Sequence, residues 1–328
     1  MEFLSEYGLY LAKTITIVVA ILITVAGIIA LTYRTQEKAK EHIEVKHLNR
    51  RYEDMACALQ AAMLPKKAFK KTLKTLKKQH KASQEGDKVR PKIFVLNFHG
   101  DIRGTAVAAL REELTAVLMV AGPEDEVLLR LESAGGLVHA YGLAASQLTR
   151  IKDKGIKLTV AVDKVAASGG YMMACVADRL LAAPFAVVGS IGVVSQLPNF
   201  NRLLKKHDID YELFTAGEYK RTVTLFGENT EQAREKFRQE VEETHTLFKD
   251  FVNTHRSQVD IAAVSTGEHW YGAQAVALKL VDELRTSDDY LLAASKTADL
   301  FEITYVAKKP LLVKLLSLGA ETLGRFKV

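Results

Sequence analysis

One segment of this 328-residue chain is suited to covalent chemistry: Val165-Ala166-Ala167-Ser168-Gly169-Gly170-Tyr171, a serine trailed by two glycines. Glycines after a nucleophile let an acyl group approach the backbone with no Cβ in the way. If a helix opens there, its free N–H groups and positive dipole end suit a developing oxyanion. A second glycine turn, Glu132-Ser133-Ala134-Gly135-Gly136, could present another donor. The plain alternative is that both are tight turns, with Ser168 as an N-cap. Local pattern does not identify a base. Lys164 lies four residues from Ser168, and His99, His139, His245, His255 and His269 fall in or near the same body. Each histidine also reads as an ordinary polar residue. Ser190, in Gly189-Ser190-Ile191-Gly192, reads as a structural turn or a substrate-side contact. There is no G-x-G-x-x-G or G-x-x-x-x-G-K pattern, which argues against a dehydrogenase or an NTPase. No histidine or carboxylate cluster suggests a metal, and no cofactor is expected. Cys57 and Cys175 are too few for a disulfide framework, and Cys175 reads as a buried structural thiol.

The elements that must position these residues begin near Pro91. Ile93–Phe98, Glu126–Leu131 and Leu158–Val162 are continuous apolar runs and read as strands. Helical spacing falls between them, at Thr105–Ala121 and Leu137–Asp153. A long helix is expected over Thr230–Val252 and a shorter one over Ala273–Leu280. Strand–helix alternation with apolar strands predicts an α/β parallel-sheet core covered on both faces. Both glycine turns then follow the carboxyl ends of strands, where chemistry gathers in such sheets. The apolar segment Tyr171–Ala177 reads as a buried helix.

The first third of the chain has another texture. Thr14 to Tyr33 is a run of 20 uncharged residues. At ~1.5 Å per residue it is as long as a hydrocarbon core is thick. Glu2 and Glu6 precede it and Arg34 ends it, flanks that fit a retained anchor better than a cleaved leader. Net charge is +6 overall, +9 over residues 34–90 and −2 over residues 91–328. The folded body therefore lacks the basic balance of a nucleic-acid binder, and no nucleic-acid partner is expected. Basic residues after the span favour a cytoplasmic body by the positive-inside rule, an asymmetry softened by Glu37, Glu41 and Glu44. Residues 65–82 hold eight lysines and no acid, with Phe69, Leu73 and Leu76 on one helical stripe. Such a stretch is either a surface binder of anionic lipid or a solvated helical spacer. The expected organisation is a tail and transmembrane helix over 1–33, a basic connector over 34–90, a catalytic domain over 91–309 and an amphipathic tail over 310–328.

VAASGGYMMA at 165–174, VVGSIGVV at 187–194 and GEYKRT at 217–222 together resemble the signal peptide peptidase A family of serine peptidases. PNFNRLLKKHDIDYELFTAGEYKRTVTLFGENT and TGEHWYG extend the similarity, over nearly the whole chain, to its SohB subgroup. The resemblance implies the fold shared by Clp protease and crotonase. It also implies a Ser–Lys dyad of Ser168 and Lys220, with backbone oxyanion donors around Gly135, Gly136 and Gly169. Peptide substrates, including signal-peptide remnants, would be cut at a bacterial inner membrane. In short relatives the two dyad residues can come from adjacent subunits, so a homo-oligomer with shared sites is expected. One departure is Ala134, where the family usually places proline; its glycines remain.

A free lysine has a pKa of ~10.4 and cannot take a serine proton at neutral pH. Apolar burial disfavours the ammonium and makes the amine a usable base. Tyr219 is a candidate shield for Lys220, while Glu218 and Arg221 are expected to face solvent or structure. Val187, Val188, Ile191 and Val193 are expected as apolar cleft walls. Two other functions share these features: a crotonase-type acyl-CoA enzyme, which also uses two N–H groups, and a catalytically silent membrane scaffold.

Overall fold

A computed structural model of the chain describes residues 8, 10–24, 41–71, 73, 74 and 90–307. It divides into two compact units, residues 1–43 with 305–328, and Glu44–Thr304.

In the first unit, residues 10–24 are helical and exposed along their length. The hydroxyls of Thr14, Thr16 and Thr24 each donate to the carbonyl four residues back, at 2.7–2.9 Å. Among the described residues, no helix is long and apolar enough to cross a membrane. Residues 25–33 of the expected span lie outside the described residues, as do most of the connector beyond residue 74 and the tail over 310–328.

The second unit is an α/β body built on a seven-stranded sheet. Its strands are β1 (His42–His47), β2 (Lys92–His99), β3 (Glu126–Glu132), β4 (Lys157–Val162), β6 (Arg179–Ala182), β9 (Glu283–Leu284) and β10 (Asp299–Val306). Their order is β1-β10-β2-β3-β4-β6-β9. The pairs from β10 to β9 are all parallel. Parallel central strands are covered on both faces, so Val127, Leu128 and Leu129 in β3 are fully buried and the strand reads as an unbroken apolar run. Helices α2 (Val107–Val120) and α3 (Val138–Asp153) connect β2 to β3 and β3 to β4. Leu110, Leu114 and Val117 of α2, and Ala144, Leu148 and Ile151 of α3, are buried at helical spacing.

The expected connector boundary at residue 90 is corrected. Helix α1 (Leu48–Met63) belongs to the body: Leu48 packs in a core cluster with Val95, Leu128, Leu291 and Leu300. The buried Asn49 amide donates to the Ser295 and Ala298 carbonyls and accepts from Leu300 N–H. Charged flanks hide this docking helix in the sequence.

A small second sheet grows from the carboxyl edge of the first. Its strands are β5 (Val165–Ala167), β7 (Val187–Gly189) and β8 (His269–Tyr271), in the order β5-β7-β8. Ser133 N–H donates to Val165 O (2.9 Å) and Ala167 N–H to Ser133 O (3.0 Å), which stitches the turn after β3 to β5. Both glycine turns are thereby brought side by side. Helix α4 (Gly169–Ala174) starts directly after Ser168, and α6 (Glu231–His255) is the long helix expected near Thr230, with α5 (Asn201–Lys206) before it. The helix expected over Ala273–Leu280 is only one turn, Gly272–Ala275; after it the bonds tighten to three residues back, from Ala277 N–H to Gln274 O and Lys279 N–H to Val276 O, and the chain turns at Lys279, whose φ is +59°.

Arg256, at the C-terminal end of α6, is 2% exposed and donates twice to Asp282 (2.8 and 2.9 Å) and once to Lys279 O. Asp282 also accepts from Leu180 N–H in β6. Removing the Asp282 carboxylate would strand the buried Arg256 guanidinium, a loss of about 3–5 kcal/mol. This pair fixes the root of α6, whose middle reaches the site.

Candidate active site

Ser168 is the N-terminal flanking residue of α4, but its side chain makes no capping hydrogen bond. The N-cap alternative therefore fails on geometry. Its φ is +53° and ψ −120°, a conformation that costs a non-glycine residue about 1–3 kcal/mol. The backbone imposes it from both sides: Ser168 N–H donates to Gly189 O (2.8 Å), and Ser168 O accepts from Met172 N–H (3.0 Å). Among the described residues no group hydrogen-bonds the Ser168 hydroxyl.

The other glycine turn packs directly on it. Gly135 has φ +91°, and a Cβ built there would lie 2.7 Å from Gly169 N and 2.9 Å from Ser168 Cβ. Gly135 N–H donates to Ser133 Oγ (3.1 Å). Gly136 and Gly169 keep N–H groups that no described residue accepts. Two of the three expected donor positions are thus free, and the third is used to shape its own turn.

Ser168, Gly136 and Gly169 line a narrow crevice of about 20 Å³. Val138, Met172, Gly192 and Val193 form further walls, and Thr244 and Phe248 of α6 close one side. Of the expected valine and isoleucine walls only Val193 lines it; Val188 and Ile191 are fully buried, and Val187 pairs within the small sheet. Thr244 and Phe248 carry no motif and were not expected; amphipathic spacing on α6 is their only sequence signal.

Lys220 does not line this crevice. It sits in the loop after α5, where Lys220 N–H donates to Gly217 O (3.2 Å), and its side chain is exposed without a partner among the described residues. Tyr219 is 50% exposed and lies under Lys236, 5.5 Å from its ring, rather than shielding Lys220. Glu218 and Arg221 are exposed. The apolar burial that a lysine base requires is not supplied by the described residues.

The rival bases are engaged elsewhere or sit outside the crevice. Lys164 pairs with Glu132 at 3.0 Å, and His99 faces the same carboxylate at 3.6 Å. His139 is exposed on α3, His269 lies in β8, and His245 faces Glu242. His255 stacks on Phe251, where burial and then the Lys152 charge hold it below the ordinary histidine range. Ser190 is a turn residue at φ +53°, its N–H bonded to Glu268 O. Cys175 is fully buried, and burial pushes its thiol up to about 12, a structural role.

Models of known families match the chain in two adjoining parts: the N-terminal region of peptidase family S49 over residues 2–148 and peptidase family S49 over residues 150–300. The probable protease SohB of Haemophilus influenzae is 51% identical over 326 residues, covering 95% of this chain and 92% of that protein. The probable protease SohB of Buchnera aphidicola subsp. Schlechtendalia chinensis is 46% identical over 305 residues, covering 89% of this chain and all of that one (100%). A solved structure of the 1510-N membrane-bound stomatin-specific protease aligns with a TM-score of 0.43 and 12% identity, over 63% of this chain and 85% of that chain.

Proposed function

The chain belongs to peptidase family S49, and from that premise we propose that this serine peptidase works as a membrane-anchored Ser–Lys endopeptidase with Ser168 as its nucleophile. The observation that carries the reading is a strained serine whose hydroxyl is uncommitted, set in a crevice between two glycine turns. Ser168 Oγ attacks the scissile carbonyl as its proton passes to the neutral amine of Lys220. The carbonyl oxygen, now anionic, is held by the N–H groups of Gly136 and Gly169. The lysine ammonium then protonates the departing amine, leaving an acyl-serine that water hydrolyses with the same amine as base.

The exposure of Lys220 gives this reading a requirement. The base must be covered by something beyond the described residues, and the cover proposed is a second copy of the chain. The segment from Val194 to Lys220, made of α5 and the stretches on either side of it, suits such burial: Val194 is 81% exposed and Phe214 88%, with Leu203, Ile209 and Tyr219 each about half exposed. Apolar groups concentrated in one exposed segment mark an association surface. The proposed enzyme is therefore a homo-oligomer in which Ser168 of one copy meets Lys220 of the next.

Residues 14–33 are proposed as the single-pass anchor in the inner membrane, with the catalytic body on the cytoplasmic side and residues 65–82 against anionic lipid. The threonine hydroxyls bonded back to their own helix support this, since hydrocarbon offers them no other acceptor. Removing residues 1–33 should release the protein from alkaline-washed membranes while leaving salt-sensitive binding to vesicles containing anionic lipid. Persistence of the truncated chain in washed membranes would contradict the anchor, and vesicle binding indifferent to anionic lipid would remove the lipid role. Substrates are proposed to be signal-peptide remnants or other membrane-associated peptides.

A fluorophosphonate should form a covalent adduct that maps to Ser168 by mass spectrometry and disappears in Ser168→Ala. Absence of the adduct together with saturable coenzyme A binding would favour the acyl-CoA reading; absence of both would leave a scaffold.

A further inference from the structure

We propose that Tyr141 and Ser133 are positioning residues that fix the spacing between the two oxyanion N–H groups, those of Gly136 and Gly169. This rests on the reading of Ser168 as the nucleophile and deepens it. The turn that presents Gly136 has little stiffness of its own: Ala134 is exposed and Gly135 is in the left-handed region. Its shape is set from beneath by a chain of hydrogen bonds with one allowed direction. Gly135 N–H donates to Ser133 Oγ at 3.1 Å, and the Asp101 carbonyl accepts from Tyr141 Oη at 2.8 Å. An amide can only donate and a carbonyl can only accept, so the Ser133 hydroxyl must donate to Tyr141 Oη, 2.6 Å away. Both side chains are buried, Tyr141 completely, and burial keeps the phenol above its ordinary range and thus a donor.

The same tyrosine supports the other donor. A Cβ on Gly169 would lie 2.5 Å from Tyr141 Cγ, so the Gly169 backbone rests on the ring. Gly100 closes the arrangement from below, since a Cβ there would lie 2.5 Å from Ser133 Oγ. The far end of the turn is tied to the same loop as Asp101, through Leu137 N–H to Ile102 O at 2.9 Å. One buried phenol thus links both halves of the oxyanion site, its ring under Gly169 and its hydroxyl bonded to the Ser133 side chain that holds Gly135. Neither residue reaches the substrate, and each acts through the backbone it holds.

The test is steady-state peptide hydrolysis and inhibition by a peptide aldehyde, whose tetrahedral adduct places an oxyanion in the same site. Rates are normalised to active sites counted with a fluorophosphonate. Tyr141→Phe keeps the ring and removes only the hydroxyl. It should lower kcat about 10- to 100-fold with KM within about twofold, and weaken the aldehyde by the same factor as kcat. Ser133→Ala should behave alike, and the double variant should be no worse than the worse single one, because one chain has been cut twice. Wild-type kcat and aldehyde affinity in Tyr141→Phe, with Ser168 still labelled, would overturn the positioning role and leave the nucleophile standing. A lower count of active sites with unchanged kcat and aldehyde affinity per site would also overturn it, as general destabilisation. If wild-type Ser168 takes no label, the nucleophile reading fails and this inference falls with it. Should Ser133→Ala not fold, Tyr141→Phe decides alone.

Discussion

Ser168→Ala is expected to reduce peptide hydrolysis by at least about 10⁴-fold while leaving the melting temperature nearly unchanged. The size follows from the chemistry, since without Oγ there is no acyl-enzyme and only binding and the oxyanion donors remain. The unchanged stability follows from the structure, because among the described residues the hydroxyl makes no hydrogen bond that its loss would break. Ser168→Gly sharpens the point. Glycine relieves strain of about 1–3 kcal/mol at φ +53°. Its looser unfolded chain costs about 0.5–1 kcal/mol in return. This variant should therefore be equally inactive yet no less stable than wild type. Fluorogenic peptide turnover and urea denaturation check both. A Ser168→Gly protein markedly less stable than wild type would show that the hydroxyl serves the fold, contrary to its place here.

Lys220→Ala should abolish hydrolysis to a similar degree, because nucleophile and base act as one unit and lose nearly everything together. Lys220→Arg should be equally inactive, since a guanidinium does not give up its proton in a protein. Neither change should disturb the isolated fold, as the side chain is exposed and has no partner among the described residues. Lys164→Ala is the control. Lys164 is 72% exposed and bound to Glu132, a surface pair worth about 0–1 kcal/mol, so its loss should weaken activity only mildly. Full turnover by Lys220→Ala, measured on folded protein, would remove the lysine from the mechanism.

The sequence made the middle of the sheet legible and its margins not. β2, β3 and β4 fall within a residue or so of their expected bounds, because strands buried on both faces must be apolar without interruption. α1 was obscured because two residues, Leu48 and Asn49, dock it in the core while its outer face carries the charge. Strands of three residues, such as β5, β7 and β8, are too short to show a period, so nothing local foretells the small sheet that brings the glycine turns together. In the site, Ser168 and its glycines stand out in the sequence as a candidate nucleophile turn, whereas no motif singles out Tyr141 on α3. Thr244 and Phe248 reach the crevice from α6, whose C-terminal end is held by the Arg256–Asp282 pair, a long-range pairing that spacing cannot reveal. Lys220 was recognisable by resemblance alone, and the burial expected for it is not found among the described residues.

The central claim is that Ser168 draws its base from another copy. Co-assembling Ser168→Ala with Lys220→Ala, each inactive alone, tests it most directly. Mixed oligomers should regain a substantial fraction of peptide hydrolysis, because some interfaces pair an intact serine with an intact lysine. No recovery after co-assembly is verified by differential tagging would contradict the claim and place both residues of the dyad within a single chain.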